Sequence, residues 1–357
     1  MIERTALQQP QADAVKRQKS LVYHGDIVFA SPFFMHNATC IVLIKTSSLG
    51  DVLHNLPVVS DIHKQLPGAR IDWVVEECFA ALPALHPDVA HVIPVAIRRW
   101  RNSWWDSRSE IVSFCSALKG GGYDFALDTQ GLLKSALITR CAKTLRCGYA
   151  WSSAREPLAS LFYDRRFTVA KNLHAVERNR QLAAAALGYT LQGAANYGIH
   201  APELALAWLP SSPYVTFLHA TSRDDKLWGE QNWIALGKHL HLAGLRAVLP
   251  WGNAKEKTRA ERLCAAIPGS LLAPPLDLNE AATLLGKARA VIGVDTGLSH
   301  LAAALGVLTV GLYTATDPGL TGLYAGTNAV NLGGLQTPPS VDAVEATLTR
   351  LGVHAHT

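Results

Sequence analysis

Several signatures that would settle a function class are missing from this 357-residue chain. Its strand-to-helix turns have neither the Walker Gly-Lys-Ser/Thr order nor the Gly-x-Gly-x-x-Gly fingerprint, which disfavours a P-loop kinase and an NAD-binding half. No motif implies a cofactor. The six cysteines include no Cys-x-x-Cys pair or paired spacing, and most lie in apolar surroundings. We therefore expect free thiols and a reducing, cytoplasmic setting.

Long apolar runs and targeting signals are also absent. The uncharged stretches 27–44 and 296–316 are interrupted by polar residues, proline or glycine, so each is interpreted as two elements and no transmembrane helix is predicted. The first 34 residues lack hydrophobic periodicity and the ordered regions of a signal peptide. Because the second methionine is Met35, we predict that residues 1–38 are a disordered extension, or that a start site placed too far upstream adds them.

The composition is that of a soluble α/β protein. Apolar residues make up 49% of the chain, it has 27 glycines, and its formal net charge is +5. Part of the basic excess is concentrated in the segments 98–101 and 164–166. Such clusters suit nucleic acid, phospholipid or an acidic small molecule, or they form a solvated basic face.

Apolar strands alternate with helical segments along both halves. This alternation predicts parallel sheets with right-handed crossovers, and hence two Rossmann-like domains that face a central cleft. We place the N-terminal domain at 39–195 and the C-terminal domain at 196–357. The predicted strands are 40–44, 70–75, 91–95, 124–128, 214–219, 246–251, 290–294 and 307–313; the predicted helices are 79–85, 132–143, 174–188 and 254–266; 98–105 is predicted as a loop over the cleft and 193–210 as a linker.

The most informative segment is a buried strand, 290–294, that turns directly into an Ala/Leu-rich helix. Thr296 and Gly297 lie where the helix begins, so unpaired N–H groups and the positive end of the dipole are available to a phosphate or another anion. Asp295, at the carboxyl end of the strand, points into the crevice where open α/β sheets bind ligands. An ordinary capped turn is the alternative.

A second turn of this design lies upstream, at Lys45–Asp51, between the strand 40–44 and a helix that opens at Val52. Asp51 at a helix start is either a functional carboxylate or a simple partner of the helix dipole. Two such turns, each opening its own α/β series, indicate two domains whose strand ends share a cleft.

The first strand of the C-terminal half is followed by hydroxyls and a lysine. Thr221, Ser222 and Lys226 suit an anionic oxygen, and the next helix is predicted to begin near Trp228. Two adjacent aspartates, 224 and 225, are flanked by Arg223 and Lys226, so we expect ion pairs there rather than a metal site. Glu256 follows the next strand. There it suits a ribose diol, or it is simply an acidic side chain in the first turn of a helix, where it interacts favourably with the helix dipole.

Five segments keep this order along the chain: KTSSLGD at 45–51, RRWR at 98–101, AREPLA at 154–159, TSRDDKLW at 221–228 and DTGLSH at 295–300. Together they closely resemble the ADP-heptose:lipopolysaccharide heptosyltransferase family, from about residue 40 to near the end of the chain. DTGLSH marks the wider family. The hydroxyl-rich first turn and the Arg/Trp segment resemble type I members more than type II.

The resemblance implies a GT-B fold and an inverting, metal-independent transfer of L-glycero-D-manno-heptose from ADP-heptose to the inner Kdo of Kdo-bearing lipid A. It implies that Asp51 is the general base and that Lys226 stabilises the departing ADP, helped by the amides of Thr296 and Gly297. The other implied donor contacts are Thr221 and Ser222 to phosphate, Glu256 to ribose, Leu276 to adenine, and Asp295 and His300 to heptose.

An acidic acceptor makes chemical sense of the arginines. Those implied to receive its carboxylates and phosphates are Arg98, Arg99, Arg101 and Arg155, with Ser48 and Gly50 beside them. Trp104 and Trp105 either enter the interface of the inner membrane, where the chain would make peripheral contact on the cytoplasmic side, or pack under their own segment.

Two alternatives remain open at this stage. One is a related GT-B transferase with another acceptor, such as a type II enzyme. The other is a non-catalytic protein that binds nucleotide sugar or anionic lipid, which the presence of both Asp51 and Lys226 disfavours. A nucleic-acid partner is not expected, because the basic residues lie in one segment without a recognition motif.

Overall fold

The computed structural model describes residues 39–103 and 105–353. In this part of the chain, two six-stranded parallel sheets carry helices on their faces, which confirms the predicted α/β class. The predicted N-terminal extension, residues 1–38, lies outside the described residues.

The first sheet is built from the N-terminal half. Its strands are β1 (Cys40–Ile44), β2 (Arg70–Glu76), β3 (His91–Val95), β4 (Phe125–Asp128), β5 (Leu145–Tyr149) and β6 (Arg165–Phe167). Their order is β3-β2-β1-β4-β5-β6, and every pair is parallel. The central strands are apolar on both faces because helices cover both sides of the sheet.

The second sheet repeats this arrangement. Its strands are β7 (Tyr214–Leu218), β8 (Arg246–Leu249), β9 (Leu271–Leu272), β10 (Ala290–Val294), β11 (Thr309–Tyr313) and β12 (Ala329–Gly333). The order β12-β11-β10-β7-β8-β9 is the doubly wound order of the first sheet. The intervening segment 188–213 holds neither helix nor strand, and the boundary at 195/196 stays a prediction.

The helices alternate with these strands. In the N-terminal half they are α1 (Leu49–Leu53), α2 (Leu56–Gln65), α3 (Ala81–Ala84), α4 (Ile97–Asn102), α5 (Arg108–Gly120), α6 (Leu133–Cys141) and α7 (Ala175–Leu187). In the C-terminal half they are α8 (Glu230–Leu242), α9 (Ala254–Ala266), α10 (Leu278–Gly286), α11 (Gly297–Ala304), α12 (Pro318–Thr321) and α13 (Val341–Arg350).

The strand order determines where a ligand binds. In each sheet the chain winds away in opposite directions from two central strands, β1 and β4 or β7 and β10. The loops that leave the carboxyl ends of these strands diverge and open a crevice. Both crevices belong to the same compact unit, to which all the described residues, 39–103 and 105–353, belong.

The two halves pack closely where α1 meets α11. Gly297 begins α11, and a Cβ at this position would lie 2.4 Å from Cδ2 of Leu49. A Cβ at Gly50 would be 3.4 Å from the ring of His300. Glycine is therefore required at position 297 by this contact, in addition to the backbone approach that the sequence suggested.

Two expectations are wrong for α4, α5 and α6. The Arg/Trp segment, predicted as a loop, is helical over 97–102, because Trp100 packs edge-on against Phe114 at a ring distance of 5.5 Å. The cysteines are not all free, because Cys115 on α5 and Cys141 on α6 form a disulfide. Residue 104 lies outside the described residues, so the prediction for Trp104 is not addressed.

Smaller differences concern helix starts. α1 begins at Leu49, so Asp51 lies in its first turn and not before it. The helix predicted near Trp228 begins at Glu230. The helix predicted at 79–85 is a 3-10 turn, Glu77–Phe79, followed by the short α3. In the described residues, no helix combines the length and apolar character needed to cross a membrane.

Candidate functional site

The loops from both switch points line one cavity of about 570 Å³. The predicted site residues that it brings together are Ser48, Gly50, Asp51, Arg155, Thr221, Ser222, Lys226, Asp295, Thr296, Gly297 and His300. They come from both sheets, as expected if the two crevices face each other.

Asp51 is held at the start of α1 by its own turn. Its Oδ2 accepts the backbone N–H of Ser48 at 3.0 Å and the Ser48 hydroxyl at 3.3 Å. Nη1 of Arg155 lies 3.2 Å from the same oxygen. Burial alone would raise the pKa of Asp51, but the charges of Lys45 and Arg155 outweigh it and hold this pKa below its usual range. Asp51 is therefore a carboxylate at neutral pH.

The loop before Asp51 is fixed by Gln130, which follows β4. The Gln130 Oε1 accepts the Thr46 N–H at 2.7 Å and the Thr46 hydroxyl at 2.8 Å, while Nε2 donates to the Ser47 carbonyl at 2.7 Å. Lys134 on α6 donates to the Ser47 hydroxyl at 2.7 Å. The two switch-point loops of the first sheet thus brace each other, which keeps Asp51 in place.

Lys45 is a buried cation beneath Asp51. Its Nζ donates to the Thr129 carbonyl at 2.9 Å and to the Asn179 side chain at 3.4 Å. Burial lowers the pKa of Lys45 to about 8, although the nearby carboxylate of Asp51 opposes this shift. A buried charge of this kind is costly and supports an anionic site.

The opposite wall holds an ion pair between Lys226 and Asp295. Lys226 Nζ lies 2.6 Å from Oδ2 of Asp295, which also accepts the Thr316 hydroxyl at 2.9 Å. Burial raises the pKa of Asp295, but the neighbouring His300 and Lys226 outweigh it and hold this pKa well below its usual range. The Thr221 hydroxyl donates to the Asp295 carbonyl at 3.0 Å.

The N-terminus of α11 opens onto the same cavity. Thr296 is its N-cap residue, and Gly297 is its first helical residue. No side chain caps the described N-terminus of this helix, so its first amides point toward the cavity with the positive end of the dipole. Together with the lysines and Arg155, this makes the cavity suited to a diphosphate.

A second cavity of about 510 Å³ adjoins the first and shares Thr221 and Ser222 with it. Glu256 lines this cavity in the first turn of α9, where Oε2 accepts the Gly252 N–H at 2.7 Å. The helix-turn interpretation of Glu256 is therefore correct locally, and its carboxylate still borders a space that a nucleoside could fill. Leu276 lines neither cavity and packs instead against the buried cluster of Tyr214, Val248, Ala273 and Leu284.

The α4 arginines are not in the cavity. Arg99 is paired with Glu110 at 2.7 Å and with Glu77 at 3.2 Å, and Arg98 lies over the ring of Phe79. Burial lowers the pKa of Lys134, and the charge of the exposed Arg101 nearby adds to this lowering. Of the predicted acceptor arginines, Arg155 alone lines the cavity.

The aspartates at 224 and 225 are ion-paired, as predicted, but with different partners in part. Asp225 pairs with Arg223, Asp224 pairs with Lys255 at 2.8 Å, and Lys226 turns to Asp295. Among the residues that the structure describes, no group of three or more His, Cys, Asp or Glu side chains could hold a metal ion.

Sequence reasoning missed several lining residues. These are Lys45, His54, Thr129, Gln130, Tyr149, Arg178, Asn179 and Thr316. Lys45, Thr129 and Gln130 could have been found, because they lie one or two residues after β1 and β4 at a switch point. The others come from helices and loops whose approach to the cavity depends on packing.

Comparisons with known proteins agree with this architecture. The profile of glycosyltransferase family 9 (heptosyltransferase) matches residues 111–349. Lipopolysaccharide heptosyltransferase 1 of Salmonella typhimurium is 48% identical over 288 residues, which are 80% of this chain and 91% of that protein. The Pseudomonas aeruginosa protein of the same name is 49% identical over 297 residues, 82% of this chain and 83% of that one.

Solved structures give the same result for the fold. The E. coli heptosyltransferase WaaC with ADP superimposes with a TM-score of 0.81 at 42% identity, covering 87% of this chain and 99% of that one. E. coli ADP-heptose LPS heptosyltransferase II shares the fold at 22% identity, with a TM-score of 0.72 over 88% of this chain and 99% of that one.

Proposed function

This chain belongs to glycosyltransferase family 9, the heptosyltransferases, and we propose that it transfers L-glycero-D-manno-heptose from ADP-heptose to the inner Kdo of Kdo-bearing lipid A. Relatives at 48% and 49% identity bear the name lipopolysaccharide heptosyltransferase 1, and the similar E. coli structure holds ADP. The observation that carries the proposal is one cavity that unites Asp51 from the first sheet with Lys226, Asp295 and the α11 N-terminus from the second.

Asp51 is the proposed general base. It accepts the proton of the acceptor hydroxyl while that oxygen attacks the anomeric carbon from the face opposite ADP. The bond from the anomeric carbon to the phosphate oxygen then breaks, and ADP leaves with the bonding electrons. A carboxylate aimed into the cavity and ionised at neutral pH fits this role.

The donor would lie across the two cavities, with its diphosphate near Thr221, Ser222 and the α11 N-terminus. A phosphate oxygen competes with Asp295 for Nζ of Lys226, and the lysine then offsets the negative charge that grows on ADP. These groups supply positive charge directly, so we propose that transfer needs no metal. Glu256 borders the space for the ribose.

Arg155 is the proposed receptor for an acceptor carboxylate. Its side chain is 52% exposed, lines the cavity and lies 3.2 Å from the proposed base. An arginine pairs well with a planar carboxylate and brings the acceptor hydroxyl within reach of Asp51. The arginines of α4, which lie outside the cavity, remain proposed contacts for more distant phosphates of the acceptor.

The first experiment measures ADP release from ADP-heptose with Kdo-bearing lipid A, in the presence of EDTA, for the wild type and Asp51→Asn. We expect turnover by the wild type and a loss of about 10²-fold or more in the variant, because the base is removed. Donor binding, followed by calorimetry, should be retained. Asp106→Asn is the control, since Asp106 is exposed and lines neither cavity.

Each other result would change a defined part of the proposal. An active Asp51→Asn would remove Asp51 as the base while keeping the substrates. Turnover that stops with EDTA and returns with a divalent cation would contradict metal independence. A wild type that binds ADP without turnover on this acceptor would favour a type II-like acceptor or a binding protein.

We also propose peripheral contact with the cytoplasmic face of the inner membrane, because the proposed acceptor is a lipid. Exposed apolar side chains follow Arg155, which lines the cavity: Leu158 and Leu161 lie three and six residues after it and are 51% and 60% exposed. Trp105, which follows α4, is 68% exposed. Arg140 lies over the ring of Phe162, the residue next to Leu161, and suits anionic headgroups.

Flotation with vesicles of phosphatidylethanolamine and phosphatidylglycerol tests this contact. We expect Leu158→Ser/Leu161→Ser to reduce the bound fraction several-fold, because the apolar area that enters the interface is lost. Leu242→Ser is the matched control, since Leu242 is 88% exposed on α8. Equal binding by all three proteins would refute this surface.

A further inference from the structure

Three histidines meet where the two halves of the protein join. His54 follows α1, His174 precedes α7, and His300 lies on α11. The His54 ring is edge-on to both of the others, at ring distances of 5.3 Å to His174 and 4.7 Å to His300. All three are buried. The resemblance of the sequence to known enzymes assigned no role to His54.

The hydrogen bonds of His174 show which of its two ring nitrogens carries the proton. Its Nδ1 accepts the N–H of Val176 at 3.2 Å, so its proton is on Nε2 and is donated to the carbonyl of Gly322 at 3.1 Å. His174 therefore stands as a neutral ring that has no free nitrogen for His54. The remaining partner of His54 in this cluster is His300.

His54 and His300 share one proton between two nitrogens. Nε2 of His54 lies 3.2 Å from Nδ1 of His300. Burial, reinforced by His300 and His174, holds the pKa of His54 well below its usual range, so His54 is neutral. Donation from His54 to Nδ1 of His300 leaves the His300 proton on Nε2.

The far nitrogen of His300 faces Asp295. Its Nε2 lies 3.8 Å from Oδ1 of Asp295, whose other oxygen is bound by Lys226 and Thr316. If His300 carried its only proton on Nδ1, a nitrogen lone pair would face the carboxylate, which is electrostatically unfavourable. Asp295 therefore favours the form of His300 with its proton on Nε2, and in that form Nδ1 of His300 can only accept, so His54 is the donor in the 3.2 Å contact.

We propose that His54 is a positioning residue that holds His300 with its Nε2–H directed at Asp295 and thereby orients the Asp295 carboxylate toward the sugar of the donor. This inference rests on the proposed function, in which Asp295 lies near the heptose. Neither His54 nor His300 lines the second cavity, where Glu256 borders the space proposed for the nucleoside, so binding of that part of the donor should not depend on His54.

The arrangement matters most once the diphosphate binds. Lys226 is then drawn to a phosphate oxygen, and Asp295 keeps the hydrogen bond from Thr316 and the attraction of His300. Without an N–H on the His300 side, the carboxylate would be free to rotate and follow Lys226. His54 follows α1 in the N-terminal half, and His300 lies on α11 in the C-terminal half. The orientation of Asp295 therefore also depends on the contact between α1 and α11.

The test compares the affinities for ADP and for ADP-heptose without acceptor, measured by calorimetry. His54→Phe keeps an aromatic ring in the cluster but removes both nitrogens, and His54→Gln keeps a side-chain N–H donor. We expect His54→Phe to lower the affinity for ADP-heptose about 10-fold, which is the effect of losing one polar contact. The affinity for ADP should stay within about twofold of the wild type. His54→Gln should recover most of the loss.

His86→Phe is the matched control. His86 is also buried, and its Nε2 is bound to the Ser60 hydroxyl at 2.9 Å, but it lines neither cavity. We expect it to leave the ratio of the two affinities unchanged, even if it lowers stability. Equal losses for ADP and ADP-heptose in His54→Phe, or no loss for either, would overturn the proposed role of His54.

Nitrogen-15 shifts of histidine-labelled protein give a second readout that does not depend on a variant. We expect Nε2 of His300 to carry a proton in the wild type; a proton confined to Nδ1 would overturn the inference. Neither readout involves the acceptor. An inactive wild type would therefore contradict the proposed transfer, whereas the affinity ratio and the shifts decide the role of His54.

Discussion

Replacing Lys45 with methionine should change how the stability of the protein depends on pH. The lysine is buried, and its pKa falls from 10.5 to about 8 on folding. Between these two values the unfolded chain binds more protons than the folded chain, so the free energy of unfolding of the wild type rises with pH in this window. The methionine variant has a similar shape and lacks this titration.

The size of the effect follows from the shift. One pKa unit corresponds to about 1.4 kcal/mol, so the buried charge costs about 3 kcal/mol at pH 7 and about 1 kcal/mol at pH 9.5. Lys45→Met also removes hydrogen bonds to Thr129 and Asn179, but this loss is the same at both pH values. The wild type should therefore gain about 2 kcal/mol relative to the variant between pH 7 and pH 9.5.

Urea unfolding at several pH values measures this difference. Tryptophan fluorescence follows the unfolding, because the nine tryptophans include the buried Trp73 beside Lys45 and the buried Trp228 and Trp233 of the C-terminal half. Circular dichroism should give the same transition where unfolding is two-state. Lys64→Met removes a lysine from an exposed position on α2 and should give a constant difference. A constant difference for Lys45→Met as well would refute the argument.

Three further results are expected. Gly297→Ala should lower the stability by about 1–3 kcal/mol, because its Cβ would lie 2.4 Å from Leu49, and adding Leu49→Ala should restore much of it in thermal unfolding. Lys226→Met should reduce kcat by about 10²-fold or more in the ADP-release assay, with a smaller change in donor affinity, if its charge acts on departing ADP. Arg155→Gln should raise the pKa of Asp51, so the acidic limb of the kcat/KM profile should move to higher pH; an unchanged limb would separate Arg155 from the base.

Much of the fold could be predicted because its signals are local. A run such as 290–294 is apolar on both faces, and its short length and β-branched residues are typical of a strand covered by helices on both sides. α9 lies at Ala254–Ala266, as predicted, because Asn253 caps it and no glycine or proline interrupts it. The loop predicted at α4 was wrong because the arginines of this segment make it look too polar to pack. Its two apolar residues, Ile97 and Trp100, pack in a cluster with Phe114, which is not close to them in the sequence.

The candidate site likewise contains residues that could be predicted from local patterns and residues whose positions could not. Several residues that follow the central strands, such as Asp51, Thr221 and Asp295, were predicted, since the carboxyl ends of parallel strands at a switch point must border the crevice. The paired cysteines at 115 and 141 and the positions of Leu276 and Arg99 depend on which helices lie side by side. Spacing in the sequence carries no signal for such contacts.

The amino-acid sequence by itself determined the alternation of strands and helices, and with it the two turns that present Asp51 and Asp295 at strand ends. Those features depend on patterns a few residues long. The tertiary structure alone decided that Arg155 lies against Asp51, 104 residues away, and that His54 reaches His300, 246 residues away. The first contact depends on how the loops of the N-terminal half come together, and the second on how the two separately wound halves pack against each other; both are properties of whole surfaces.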